Sequence, residues 1–282
     1  MKKRLIIAFV FIIGILLGIL ANRNREYLIN AQLIRDYLHF RRKLDNSKQI
    51  LNHDSTMICF VIGQSNAADY GKGLYVPRNN EIYNYYKGDL FKAKEPLLGA
   101  DGSGSSVWTR VADNLIDSGY YKRIIIIPCA IGSTSVKCWA EGKCKKKLIQ
   151  TLDYIKKDNM KISHIFWDQG ETDNVDKTTK ESYVQNLTNV INTFRSYNIN
   201  APFYVSITSY VPFENTYPFG INDQITNAQH EVIKIIKNVK EGPNTDSINL
   251  GYYRYQDLHF TEKGLDLLAK KWIDKIIEHN AL

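Results

Sequence analysis

Ile124-Ile125-Ile126-Ile127-Pro128 is the stretch that decides the fold. Four consecutive isoleucines leave no polar side to the strand they form, so that strand must be buried on both faces, as in a parallel sheet with helices above and below. Working outward, comparable short β-rich runs occur at 57–62, 82–86, 162–167 and 203–208. Around them, apolar residues recur at helical spacing over 108–116, 148–156, 179–197, 226–239 and 261–278. Strands alternating with helices imply a parallel sheet covered on both faces. No internal repeat, low-complexity tract or Pro-rich linker interrupts the pattern, so 51–282 reads as one α/β domain.

The chain has 282 residues, 44% of them hydrophobic and 12% aromatic, an ordinary globular composition that excludes disordered, collagen-like and disulfide-knot classes. The net charge of +8 permits an anionic partner without arguing for one. Much of the excess sits in two knots, around Arg23 to Lys43 and at Lys143, Lys145, Lys146 and Lys147. Neither is interleaved with the aromatics of a nucleic-acid platform, so both read as solvated basic surface and no nucleic-acid partner is expected.

The N-terminus opens Met1-Lys2-Lys3-Arg4, followed by an uncharged apolar run over 5–21 and then Asn22-Arg23-Asn24-Arg25. As a helix this run is about 25 Å long, the short end of a membrane span. Small residues are scarce at its exit, which favours an uncleaved signal anchor over a cleaved peptide. The flanking charges place the N-terminus inside and the domain outside the cytoplasm, in the periplasm or at the cell surface. Residues 22–50 carry charges on most faces and read as a helical stalk. Four cysteines fit an oxidising compartment. Cys138 and Cys144, six apart around Gly142, are positioned to close a small loop, whereas Cys59 and Cys129 sit in apolar runs as small buried hydrophobes. No Cys-x-x-Cys or His-rich spacing is present, so no metal and no other cofactor is expected.

In open α/β sheets ligands bind where the C-terminal ends of strands pass into loops. Those loops hold Gly63-Gln64-Ser65-Asn66, Ala130-Ile131-Gly132-Ser133-Thr134 and Asp168-Gln169-Gly170-Glu171-Thr172-Asp173, and Asp257-Leu258-His259 precedes the last helix. A nucleophilic serine needs a histidine to take its proton, an acid to orient that histidine and donors for the oxyanion. Ser65, His259, Gly132 and Gln169 supply candidates at one edge of the sheet. Each is unremarkable alone, since Gly-x-Ser-Asn is a common turn and a lone histidine more often satisfies a local bond. Gly102-Ser103-Gly104-Ser105-Ser106 reads as a loop bordering the cleft and capping the next helix. Tyr70, Tyr75, Tyr210 and Tyr217 are candidates for stacking on sugar rings, against a background of 18 tyrosines.

These four blocks, with Trp139 and Trp167 beside them and Gly264 after the last, resemble those of the SGNH hydrolase superfamily, and more narrowly its sialate O-acetylesterase and acetylxylan-esterase-like branch. The likeness runs over about 57–270, and Trp167-Asp168-Gln169-Gly170-Glu171-Thr172-Asp173 is its most specific part. It implies a flavodoxin-like three-layer α/β/α sandwich with a parallel sheet of about five strands, and a metal-free serine esterase that removes acetyl groups from carbohydrate hydroxyls. Carried over, Ser65 is the nucleophile, His259 the general base, and the Ser65 amide, Gly132 amide and Gln169 side chain the oxyanion hole. The resembling families commonly place an aspartate three residues before the histidine, where Gln256 stands here, which leaves Asp257 and Glu171 as rival triad acids. Asp257 is ranked ahead because closeness in sequence to His259 guarantees closeness in space. The acetylated carbohydrate is the expected partner, with the membrane through the N-terminal run. An O-acetyltransferase on the same fold and an inactive glycan-binding module remain the alternatives.

Overall fold

In the computed structural model the described residues are 43–44, 50, 55–212 and 220–280. The apolar run at 5–21, nearly all of the stretch read as a stalk and Tyr217 fall outside them. Among the described residues no helix is long and apolar enough to cross a membrane. The compact unit that holds the sheet begins at Leu44. Leu44 and Ile50 already pack against its core, and Leu44 donates its N–H to the Leu90 carbonyl at 3.0 Å.

Seven strands form the main sheet in the order β3-β2-β4-β1-β5-β6-β7. They are β1 (Thr56–Gly63), β2 (Ile82–Tyr86), β3 (Asp89–Lys92), β4 (Arg123–Ala130), β5 (His164–Asp168), β6 (Phe203–Ile207) and β7 (Val239–Asn244). Every pairing is parallel except β2 with β3. The five expected runs are β1, β2, β4, β5 and β6, so the parallel core agrees and the sheet is larger by two edge strands. β3 returns from β2 through Lys87 and Gly88, whose φ values of 51° and 87° suit the tight turn of a hairpin. β7 lies at the other edge and reads Val-Lys-Glu-Gly-Pro-Asn, too polar to stand out as a buried strand.

The pleat sorts the core into two layers. Ile58, Phe60 and Ile62 of β1 face α2 (Val136–Glu141), α3 (Lys143–Lys157), α5 (Lys180–Ser196) and α6 (Asp223–Ile235). Met57, Cys59 and Val61 face α1 (Trp108–Asp117) and α7 (Glu262–Asn280), where Trp108, Phe166 and Trp272 meet with ring centroids 5.1 Å apart. The α/β/α layering is therefore present. Helix starts follow capping chemistry: Thr179 accepts the Ser182 N–H at 3.2 Å and Asn222 accepts the Gln224 N–H at 2.9 Å, each satisfying a donor that the first turn leaves free. A one-turn helix, α4 (Glu171–Val175), opens directly off β5, and a two-stranded hairpin, β8 (Arg254–Tyr255) with β9 (His259–Phe260), precedes α7. Cys138 of α2 and Cys144 of α3 are joined as a disulfide, while Cys59 and Cys129 are free and buried.

Candidate active site

Gly63, the last residue of β1, is in register with Ala130 of β4 on one side and Asp168 of β5 on the other. The loops at 64–66, 131–134 and 169–173 therefore leave the sheet at one level, which is how distant blocks of sequence meet. Gly63 has φ +147°, and a Cβ there would stand 2.0 Å from the Asp168 carbonyl oxygen, so only glycine fits this crossing. The turn is pinned by Gln64 N–H donating to Asp168 O and by Ala67 and Ala68 N–H donating to Gln64 O, all at 3.0 Å.

Ser65 and His259 line one cleft of about 330 Å³, together with Glu171 and Ser133. Its apolar wall is built from Tyr70, Val175, Val211 and Leu258. A second hollow of about 370 Å³, near Lys156, Lys161 and Tyr197, lies before the starts of β5 and β6, at the opposite edge of the sheet. No serine, cysteine or histidine lines it, so the chemistry belongs to the smaller cleft.

His259 begins β9 opposite Tyr255, and its ring lies between Tyr70 and Tyr255, with centroids 5.1 and 5.8 Å away. Its Nδ1 is buried and has no hydrogen-bond partner. Burial, and then the charge of Arg254, hold the imidazole below its ordinary pKa, which favours the neutral ring. Asp257 does not reach it. That residue is exposed at the hairpin tip with φ 60° and is not among the residues lining the cleft. Gln256 precedes it at φ 49°, and two consecutive left-handed residues turn the chain so that sequence neighbours diverge.

Glu171 is buried at the start of α4 and lines the cleft. Its Oε1 accepts the Asn66 Nδ2–H at 2.5 Å and its Oε2 the Gly170 N–H at 3.2 Å. Desolvation pushes its pKa up against those hydrogen bonds and the charge of Arg254. Asp168, buried behind it, is pushed up to about 7 by desolvation and then by Glu171. Of the two rival acids, Glu171 lines the cleft with the histidine and Asp257 does not.

The other two oxyanion candidates are engaged elsewhere. The Gly132 N–H donates to both Asp101 carboxylate oxygens at 2.9 and 3.0 Å, and Tyr70 Oη donates to Asp101 Oδ2 at 3.2 Å. Gln169 is fully buried, and its Nε2 donates to Asp173 Oδ2 at 2.5 Å, Thr134 O at 3.0 Å and Gln64 Oε1 at 3.2 Å. Asp173 Oδ2 also accepts the Val136 N–H at 2.8 Å. Gln169 and Asp173 thus clamp the loop between β4 and α2 to the start of α4.

Of the tyrosines proposed for sugar stacking, only Tyr70 lines the cleft among the described residues. Tyr75 Oη donates to Asp113 at 2.8 Å and Tyr210 lies 5.3 Å beneath the Arg254 guanidinium. Ser105 pairs through its backbone with Gly71, and Ser106 Oγ accepts the Trp108 N–H at 3.2 Å, while Val107, the residue at the cap of α1, makes no side-chain bond. Asp101 and Arg254 went unremarked in the sequence. Asp101 lies 31 residues from Gly132, with only Gly102 beside it as a turn signal. Arg254 stands five residues before His259, and that proximity was the available clue.

The family described as carbohydrate esterase, sialic acid-specific acetylesterase, matches residues 55–278. The chain belongs to this family. A probable carbohydrate esterase from Arabidopsis thaliana is 31% identical over 78 residues, a stretch spanning 27% of this chain and 30% of that protein. The crystal structure of an Arabidopsis thaliana protein superposes on 79% of this chain and 98% of its own with a TM-score of 0.64 at 21% identity. A carbohydrate acetylesterase from Xanthomonas citri (TM-score 0.55, 15% identity, covering 77% of this chain and 54% of its own) shares the fold. So does a family 3 carbohydrate esterase from Clostridium thermocellum (0.52, 15%, 79% and 96%). The two named esterases and the Arabidopsis structure agree with the SGNH-type α/β/α fold.

Proposed function

We propose that this chain is a serine esterase that removes O-acetyl groups from a carbohydrate outside the cytoplasm. The observation that carries the reading is the meeting of Ser65 and His259 in one cleft at the C-terminal edge of the sheet, from segments separated by almost the whole domain. In this reading Ser65 Oγ attacks the acetyl carbonyl as His259 takes its proton. The tetrahedral intermediate collapses to an acetyl-enzyme, and His259 returns the proton to the departing sugar hydroxyl. Water, deprotonated by the same ring, then releases acetate and restores Ser65. Glu171 is the carboxylate that balances the imidazolium, since it shares the cleft. The oxyanion is met by the Ser65 amide and by the Gly132 amide as it exchanges Asp101 for the developing charge, with Gln169 holding that loop in place.

The Cys138–Cys144 disulfide supports an oxidising, extracytoplasmic setting, and the apolar run at 5–21 supports anchorage to the membrane. Acetate release from a panel of acetylated glycans tests the reading. The unaltered chain is expected to release acetate from at least one, and Ser65→Ala from none. Equal release by both would overturn it.

A further inference from the structure

Arg254 is a buried cation that the reaction scheme leaves without a role. It is 6% exposed, and its guanidinium lies 3.8 Å above the centre of the Phe260 ring. All three of its nitrogens donate to backbone carbonyls: Nε to Ile248 O at 2.6 Å, Nη1 to Leu258 O at 2.7 Å and Nη2 to Thr245 O at 2.9 Å. The first and third acceptors lie in the segment just after β7, and the second immediately precedes His259. One planar fork therefore ties the end of the main sheet to the hairpin that carries the histidine, a geometry lysine cannot reproduce.

The hairpin needs such a tie. Its tip passes through Gln256 and Asp257 in the left-handed region, where non-glycine residues persist only if the surroundings hold them. Arg254 and Phe260 are paired across the hairpin, as are Tyr255 and His259, so any change at Arg254 is felt one step away at the catalytic ring.

We propose that Arg254 is a positioning residue for His259, bracing the β8–β9 turn through the Leu258 carbonyl and tying it to the segment after β7. This rests on the esterase reading for His259. The groups that act on this corner are few. Tyr70 and Tyr255 flank the ring, Arg254 lies behind it, and Glu171 lies in the same cleft; Asp168, Asp246 and Tyr210 face Arg254 from the ends of β5, β7 and β6. With its donors committed to carbonyls, Arg254 acts on those carboxylates through space. Its charge opposes protonation of His259 and favours ionised Glu171, Asp168 and Asp246.

The test follows the His259 imidazole by NMR titration of histidine-labelled protein, its signal assigned with His259→Gln, alongside acetate release. In Arg254→Met, folded by circular dichroism, the His259 midpoint should move to higher pH and turnover should fall roughly 100-fold. A midpoint identical to that of the unaltered chain overturns the proposal. Should that variant fail to fold, Arg254→Lys decides. It keeps the charge and loses the fork, so turnover roughly 10-fold lower with a midpoint near that of the unaltered chain supports the bracing role. Full turnover in Arg254→Lys overturns it. Failure of the esterase reading has a different signature: the unaltered chain releases no acetate, while the His259 midpoint still responds to Arg254.

Discussion

The strands of the main sheet and the loops at their C-terminal edge are equally buried but opposite in chemistry. Along β1 and β4, Phe60, Val61, Ile62, Ile125, Ile126 and Ile127 are all inaccessible to solvent and wholly apolar. A few residues further on, Gln64, Ser65, Asn66, Asp168, Gln169, Glu171 and Asp173 are no more than 4–5% exposed and all polar. The first region stabilises the fold by removing apolar area from water. The second costs folding free energy and is tolerated because nearly every group has a partner, as Asn66 and Gln169 show. That asymmetry separates scaffold from site: a change in the strands should reduce stability, and a change at the edge should reduce activity.

Ser65→Ala should show the largest effect, a loss of roughly 10³-fold or more in kcat/KM with an unchanged melting temperature, since it removes a hydroxyl from a loop and nothing from the core. Next come the rival carboxylates. Glu171→Gln should lower kcat roughly 100-fold, because an amide cannot balance the imidazolium, whereas Asp257→Asn at the exposed tip should stay within about 3-fold. The reverse ranking in steady-state assays would break the assignment.

In the strands, Ile126→Ala should cost about 3 kcal/mol in denaturant unfolding while kcat of the folded fraction is retained. A smaller and pH-dependent effect is expected at Asp168, whose Oδ1 accepts from Ser206 Oγ at 2.8 Å and whose Oδ2 has no partner. Its pKa is higher in the fold, at about 7, than the ordinary value of 3.8 that the unfolded chain has, so the folded state binds more protons. The stability this confers is complete below about pH 4 and is lost as pH rises through 7. Asp168→Asn should remove that dependence, so that its melting temperature overtakes that of the unaltered chain as pH is raised from 5 to 8. A constant difference between the two across that range would contradict the account.

The scaffold was the more legible of the two regions, for a physical reason. A strand buried on both faces must be apolar at every position, and the Ile124–Ile127 run could hardly be anything else. β7 lacked that signature because it is an edge strand, and the helical period read across 226–239 ran into its first residue. The helix ends at Ile235, and Asn238 at φ 59° turns the chain into the strand. The candidate pair Ser65 and His259 stood out because their blocks are local in sequence. The contacts that hold the neighbouring residues in place did not. Asp101 meets Gly132 across 31 residues, Glu171 meets Asn66 across 105, and Arg254 reaches Leu258 only across a hairpin whose turn no sequence rule specified. At Asp257, proximity in sequence to His259 does not bring the side chain into the cleft, because two left-handed residues turn the chain there.

The central claim is that Ser65 is an activated nucleophile, and a phosphonate ester probe tests it most directly. Such probes phosphonylate a serine only where a base takes its proton and the leaving group can depart. Mass spectrometry of the treated protein should show a single adduct, on the peptide containing Ser65, absent from Ser65→Ala and strongly slowed in His259→Gln. An adduct at another residue, or none under conditions where acetate is released, would contradict the account.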